Sequence, residues 1–161
     1  MKKILVLLFL SLLVVSCKST STAVSKTESK RENKYVVNNL VDTATENLGV
    51  RYKAGGTTKN GFDCSGLVFT TFGSQNIKLP RSSYEQAKMG KIIKLNDAKK
   101  GDLIFFKTNK SNQINHVGLI TQVTFDEVKF IHSSTSKGVI ISSTKEVYYK
   151  DSFEQVNRIV D

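Results

Sequence analysis

Asp63-Cys64-Ser65-Gly66 stands at the head of an apolar run, and two histidines, His116 and His132, follow at the edges of strand-like segments. A thiol that can be brought beside an imidazole is the minimum equipment for nucleophilic attack on an amide carbonyl. The Asp63 carboxylate reads as a helix N-cap, placing Cys64 in the first turn of a helix that runs to about residue 72. A thiolate there faces unsatisfied backbone amides and the positive end of the helix dipole, both of which favour the ionised form. Val68-Phe69-Thr70-Thr71-Phe72 has β-branched and aromatic bias, so propensity alone would equally make this segment a strand.

The chain holds 161 residues and only one other cysteine, Cys17. It closes what reads as an export signal over residues 1–16: a basic start at Lys2 and Lys3, an apolar stretch over residues 4–15, and the small Ser16. That stretch is too short to span a bilayer comfortably. Leu13-Val14-Val15-Ser16-Cys17 resembles a bacterial lipobox, which implies cleavage before Cys17 and its lipidation; an ordinary secretory signal cut elsewhere is the alternative. With Cys17 capped, Cys64 has no intramolecular partner. An unpaired thiol in an exported protein is an oxidation liability, and its retention favours a reactive role.

The net charge of +10 falls to +8 once Lys2 and Lys3 leave with the signal. For an exported, lipid-anchored chain this charge meets anionic lipid and wall carboxylates, not nucleic acid, or serves solubility alone. Residues 17–34 are the lipidated cysteine and a polar stretch that cannot bury enough surface to offset its ordering entropy, so they read as a flexible tether. Its root-mean-square span is roughly 20 to 25 Å. If the cell has two membranes, Lys18 after the lipidated cysteine points by analogy to the outer one, facing the periplasm.

Residues 35–161 are enough for one core and are read as one domain and a monomer. Val36, Val37, Leu40, Val41, Ala44 and Leu48 recur at three-to-four spacing before Gly49, giving a helix over 35–48. Ser82-x-x-Glu85 is a capping-box spacing that predicts a short helix to about residue 89. Short β-branched or aromatic runs follow at 91–95, 103–106, 116–123, 128–132, 139–143 and 155–160. Helices first and strands after indicate an α+β fold, with an antiparallel sheet of about five to six strands against the cysteine helix.

If the strands bearing His116 and His132 form a hairpin, the two rings share a face only when paired residue numbers sum to an even value. A turn centred on Thr124 pairs them directly; one nearer Asp126 offsets them, and a bulge would recover the difference. Each residue has an ordinary alternative: Cys64 as a small buried hydrophobe, the histidines as satisfied strand side chains. Cys64, His116 and His132 would also suit zinc or copper, but a structural zinc site usually has a fourth ligand and close ligand pairs are missing. No metal or other cofactor is expected.

The joint pattern resembles the NlpC-type papain-like cell-wall peptidases. Residues 38–158 carry, in that family's order, Gly49 to Gly56 (GVRYKAGG), Phe62 to Val68 (FDCSGLV), Leu79-Pro80-Arg81-Ser82-Ser83, Gly101 to Phe106 (GDLIFF), His116-Val117-Gly118-Leu119-Ile120 and Phe130-Ile131-His132-Ser133-Ser134. The link at 121–129 is longer than the family usually has. The resemblance implies a papain-like fold with Cys64 as nucleophile, His116 as general base and His132 as the group that orients it. It further implies Tyr52 near the oxyanion, and Asp63, Ser65, Arg81, Ser82 and Ser83 along a groove for peptidoglycan peptides, with Arg81 available to a stem carboxylate. Gly101 and Asp102 read as a turn, not a site. The expected activity is a lipid-anchored cysteine endopeptidase acting on peptidoglycan stem peptides or cross-links. An acyltransferase or amidase with the same trio, or a non-catalytic wall-binding lipoprotein, are the other classes.

Overall fold

In the computed structural model the described residues are 20–161, with side chains from residue 25. The expected signal and Cys17 lie outside them. Helix α1 spans Thr20–Thr45, so the stretch expected to be flexible is helical from Thr20 onward. Lys, Glu and Arg are good helix formers, and extending a helix already nucleated by buried residues is cheap compared with starting one. Leu40, Val41 and Ala44 are the buried face. The helix stops at Thr45, three residues before the expected end, and Gly49 N–H then donates to Val139 O at 2.9 Å. No helix among the described residues is long and apolar enough to cross a membrane.

The compact unit Asn33–Asp161 combines helices with one antiparallel sheet. A two-stranded ribbon, β1 (Thr57–Thr58) and β2 (Gly61–Phe62), leads into α2 (Cys64–Gly73), and α3 (Ser83–Gln86) follows. The sheet comprises β3 (Lys91–Ile93), β4 (Leu103–Phe106), β5 (His116–Val123), β6 (Val128–Ser134), β7 (Gly138–Ser143) and β8 (Phe153–Arg158), in the order β3-β8-β4-β5-β6-β7. The α+β class and the six strands are those anticipated. The ribbon, a single turn of 3₁₀ helix at Leu95–Asp97 and a short helix α4 at Val147–Ser152 are additional.

Alternation along the strands builds two cores. Leu103, Phe105, Val117, Leu119, Ile131 and Val139 face α1 and α2, together with Leu67, Val68 and Phe72. Ile104, Phe106, Ile120, Phe130 and Val156 form the other face, closed by Tyr149 of α4. Segment 68–72 is helical despite its strand bias because Asp63 caps its start and its apolar side lies on the sheet; tertiary burial outweighs a propensity worth tenths of a kcal/mol per residue.

Asp102 is structural. It is 2% exposed and holds Arg158 through two hydrogen bonds of 2.9 and 2.8 Å, while accepting the Lys99 N–H at 2.7 Å. This ties the start of β4 to β8 and gives the Arg158 guanidinium its hydrogen-bonded carboxylate, with Asp97 O also accepting from it at 3.0 Å. Asp102→Ala should therefore lower stability by about 3–5 kcal/mol, read from urea unfolding; a loss below 1 kcal/mol would show the pair to be unimportant.

Candidate active site

The start of α2 is assembled around one carboxylate. Asp63 Oδ1 accepts the Gly66 N–H at 2.7 Å, the anticipated N-cap, and Oδ2 accepts the Gly55 N–H at 2.8 Å. Arg81 closes a bidentate fork on the same group, at 2.9 Å to Oδ1 and 2.7 Å to Oδ2. Burial by itself would pull the Asp63 carboxyl up, but these donors and the Arg81 charge outweigh it and hold the group below the usual range. Gly66 is required here: a Cβ would come 2.0 Å from Gly56 O, so only glycine lets the 53–56 loop close over the helix start.

This geometry reassigns part of the expected groove. Arg81 also reaches Ser65 Oγ at 2.9 Å and Gly56 O at 3.3 Å, so its fork is engaged within the protein. Ser82 is the N-cap of α3, accepting the Glu85 N–H at 3.2 Å. Ser83 is buried, and Gln86 behind it holds Ser65 O at 3.0 Å. Tyr52, half-buried, bridges to Phe62; burial and the nearby Asp63 and Cys64 push its phenol up.

Cys64, half-buried, projects toward the start of β5. Its Sγ sits 3.9 Å from Asn115 O, and the N–H of Val117 also faces the sulfur, so both neighbours of His116 in the chain flank it. Asn115 is fixed by its own side chain, which accepts the Thr108 N–H at 2.8 Å and donates to Thr108 O at 3.1 Å. The helix start was expected to favour the thiolate. Instead burial pushes the Cys64 thiol up, with the Asp63 carboxylate adding to it, and the surrounding N–H groups offset this only in part. Desolvation of a charge exceeds the pull of a few amide dipoles in this half-buried place.

The histidines meet because of one irregularity. Near the hairpin tip Val123 pairs with Val128 and Gln122 with Lys129, an odd register that would put His116 and His132 on opposite faces. The register shifts between Ile120 and Gln122, leaving Thr121 as the extra residue, and below it Leu119 pairs with Ile131. Paired numbers there sum to an even value, so both rings share the α4 face. His116 Nε2 lies 3.0 Å from His132 Nδ1, with the ring planes at 81°. Gly118 stands opposite His132 in this register, and a Cβ there would press within 2.6 Å of the Phe130 ring and 3.4 Å of His132 Cβ.

On its far side His132 Nε2 contacts Ser142 Oγ at 3.1 Å and Tyr149 Oη at 3.2 Å. Burial lowers His116 to about 4. It lowers His132 to about 3, helped by the proximity of His116. Both rings are thus neutral at neutral pH. A hydroxyl couples this face to the thiol: Ser133 Oγ donates to Phe62 O at 2.7 Å, two residues before Cys64. Beside His116 opens a cleft of about 290 Å³, lined in part by Thr108, Lys137, Glu146, Tyr148 and Tyr149.

Asn115, Gly118, Ser142 and Tyr149 were not singled out from the sequence. Asn115 and Gly118 were within reach, since both adjoin His116. Ser142 and Tyr149 carry no local signal: α4 buries only Tyr149, so it shows no apolar periodicity. Among the described residues, no three His, Cys, Asp or Glu side chains are grouped so as to hold a metal.

Comparison with known proteins agrees with the fold. Residues 49–158 match the NlpC/P60 family. The chain is 40% identical over 126 residues to the Escherichia coli (strain K12) protein named murein DD-endopeptidase MepS/murein LD-carboxypeptidase, covering 78% of this chain but only 64% of that one. It is 39% identical over 125 residues to the probable endopeptidase NlpC of the same organism, covering 77% and 79% of the two chains. The crystal structure of an NlpC/P60 family protein from Bacillus cereus superposes with a TM-score of 0.69 at 30% identity, over 78% of this chain and 40% of that one. On these matches, with the six-stranded sheet and the helix that begins at Cys64, the chain belongs to the NlpC/P60 family.

Proposed function

We propose that this chain is a lipid-anchored cysteine endopeptidase that hydrolyses amide bonds in peptidoglycan stem peptides or their cross-links. The observation that carries the reading is the 3.0 Å contact of two neutral imidazoles beside a thiol at a helix start. The names of the Escherichia coli relatives, a murein endopeptidase and a probable endopeptidase, support the substrate class.

Burial favours the thiol and the uncharged imidazole, so Cys64 and His116 rest as a neutral pair and the proton moves as attack begins. Nδ1 of His116 takes the S–H proton, and the sulfur adds to the scissile carbonyl. The oxyanion forms near the Cys64 backbone N–H and the Tyr52 hydroxyl, which as an un-ionised phenol is a donor. His116 returns the proton to the leaving amine, leaving a thioester on Cys64. Water then attacks with His116 again as base, and a carboxylic acid is released. Asp63 and Ser65 with Arg81 shape one wall of the groove, and Ser82 and Ser83 support it through α3.

Cys64→Ala should abolish cleavage of purified muropeptides, a fall of at least about 10⁴-fold; wild-type turnover in a folded variant would exclude the mechanism. Mass spectrometry of the products separates a cut inside a cross-link from trimming of a terminal residue, the second activity in the name of one relative.

The pH dependence follows from the lowered histidines. The base is lost only as His116 protonates, so kcat/KM should hold down to pH 5.5 and fall through about pH 4. An ordinary histidine would lose half its activity near 6.5, and that result would contradict the buried neutral ring. The unfolded chain protonates both histidines near 6.5 while the folded chain does not, so stability is full above that pH and declines below it. Circular dichroism at each pH keeps the two effects apart.

Anchoring rests on the lipobox-like Leu13-Val14-Val15-Ser16-Cys17. Expressed in a bacterium and fed labelled palmitate, the full chain should incorporate label, and Cys17→Ser should not. Equal labelling of both would move the anchor elsewhere. With Lys18 next to that cysteine, a cell with two membranes would hold the enzyme on the outer one, facing the periplasm.

A further inference from the structure

His132 meets His116 through Nδ1, and its Nε2 is held by two hydroxyls at once, Ser142 on β7 and Tyr149 on α4. An imidazole is an ambiguous orienting group, because it has two neutral tautomers. When His116 has taken the thiol proton it carries N–H on both nitrogens, and Nε2–H must be accepted by His132 Nδ1. That nitrogen must then be a lone pair, and a neutral His132 has to keep its own proton on Nε2. A buried Nε2–H requires an acceptor. In the other tautomer His132 Nδ1–H faces His116, whose remaining proton is driven to Nδ1, the nitrogen that should be a base.

We infer that Ser142 and Tyr149 are positioning residues whose hydroxyl oxygens accept the His132 Nε2–H, select its tautomer and thereby leave a basic nitrogen on His116 for Cys64. Among the described residues, the polar groups recorded against His132 are His116 from β5, Ser142 from β7 and Tyr149 from α4. The ring of Phe130, from its own strand, packs beside it with centroids 5.2 Å apart. From α4's start the Glu146 carboxylate acts on Tyr149 and accepts the Ser143 N–H at 2.8 Å. Burial pushes the Tyr149 phenol up to about 12, so it stays a hydroxyl throughout the working range. Each of the two neutral hydroxyl oxygens has a lone pair to offer the Nε2–H.

The kinetic consequence rests on the peptidase reading, but the tautomer does not, and the test separates them. Imidazole ¹⁵N shifts of the wild-type chain should show His132 protonated at Nε2 and bare at Nδ1, and His116 bare at Nδ1. Tyr149→Phe with Ser142→Ala should erase that preference and lower kcat on muropeptides about 10- to 100-fold, with KM within twofold and a cooperative melt retained. If the double variant does not fold, Tyr149→Phe alone is read at the same nitrogens, where a mixed population is expected. A wild-type His132 protonated at Nδ1, or a folded variant with unchanged shifts and unchanged kcat, overturns the inference. The expected shifts in a chain that hydrolyses no muropeptide would uphold the tautomer and remove the peptidase reading.

Discussion

Two imidazoles, sixteen residues apart in the chain, share a part-buried hydrogen bond, and much of the sheet is arranged so that they can. Burial disfavours the charged form of each ring, holding one at about 4 and the other at about 3, so both rest neutral. A charged pair at this distance would repel, whereas a neutral pair needs one donor and one acceptor and nothing else. The odd register of the hairpin tip would place them on opposite faces, and the extra residue Thr121 corrects it. Gly118 then leaves room for the Phe130 ring that packs beside His132, and Ser133, pointing the other way, ties the same strand to the residues just ahead of the thiol. Packing thus acts on chemistry through register, since a slip of one residue would leave the core side chains and the histidines on the wrong faces together.

A second organising group is Asp63. One carboxylate caps the helix, closes the glycine loop and binds Arg81 through a bidentate fork, so the position of Cys64 depends on this network. Arg81 and Ser65 join the network around Asp63 and Ser82 caps α3, so residues that by resemblance line the substrate groove also hold the cysteine helix and its neighbour.

Much of this was legible in the chain. The cap at Asp63, the helix behind Cys64 and the capping serine at Ser82 follow from local chemistry, and the strand runs at 103–106 and 116–123 have the bounds their residue types announce. Parity of the hairpin was left open because it depends on a bulge, and nothing about Thr121 distinguishes it from any other strand threonine. The helical continuation through 20–34 was misread because composition describes the cost of ordering an isolated segment, not one propagated from a packed helix. Ser142 and Tyr149 were invisible for a different reason: their roles come from a sheet register and a six-residue helix, neither of which has a sequence period. The thiol's upward shift was also missed, since burial is a property of the assembled fold.

The central claim is that the Cys64 sulfur becomes acylated by the substrate. Rapid acid quench of the protein with a defined muropeptide, followed by proteolysis and mass spectrometry, addresses this directly. The account predicts that the peptide containing Cys64 gains the mass of the acyl half of the substrate, through a bond labile to hydroxylamine. Product released at the full rate with no such adduct, even when an added slow-deacylating ester substrate is used, would contradict it.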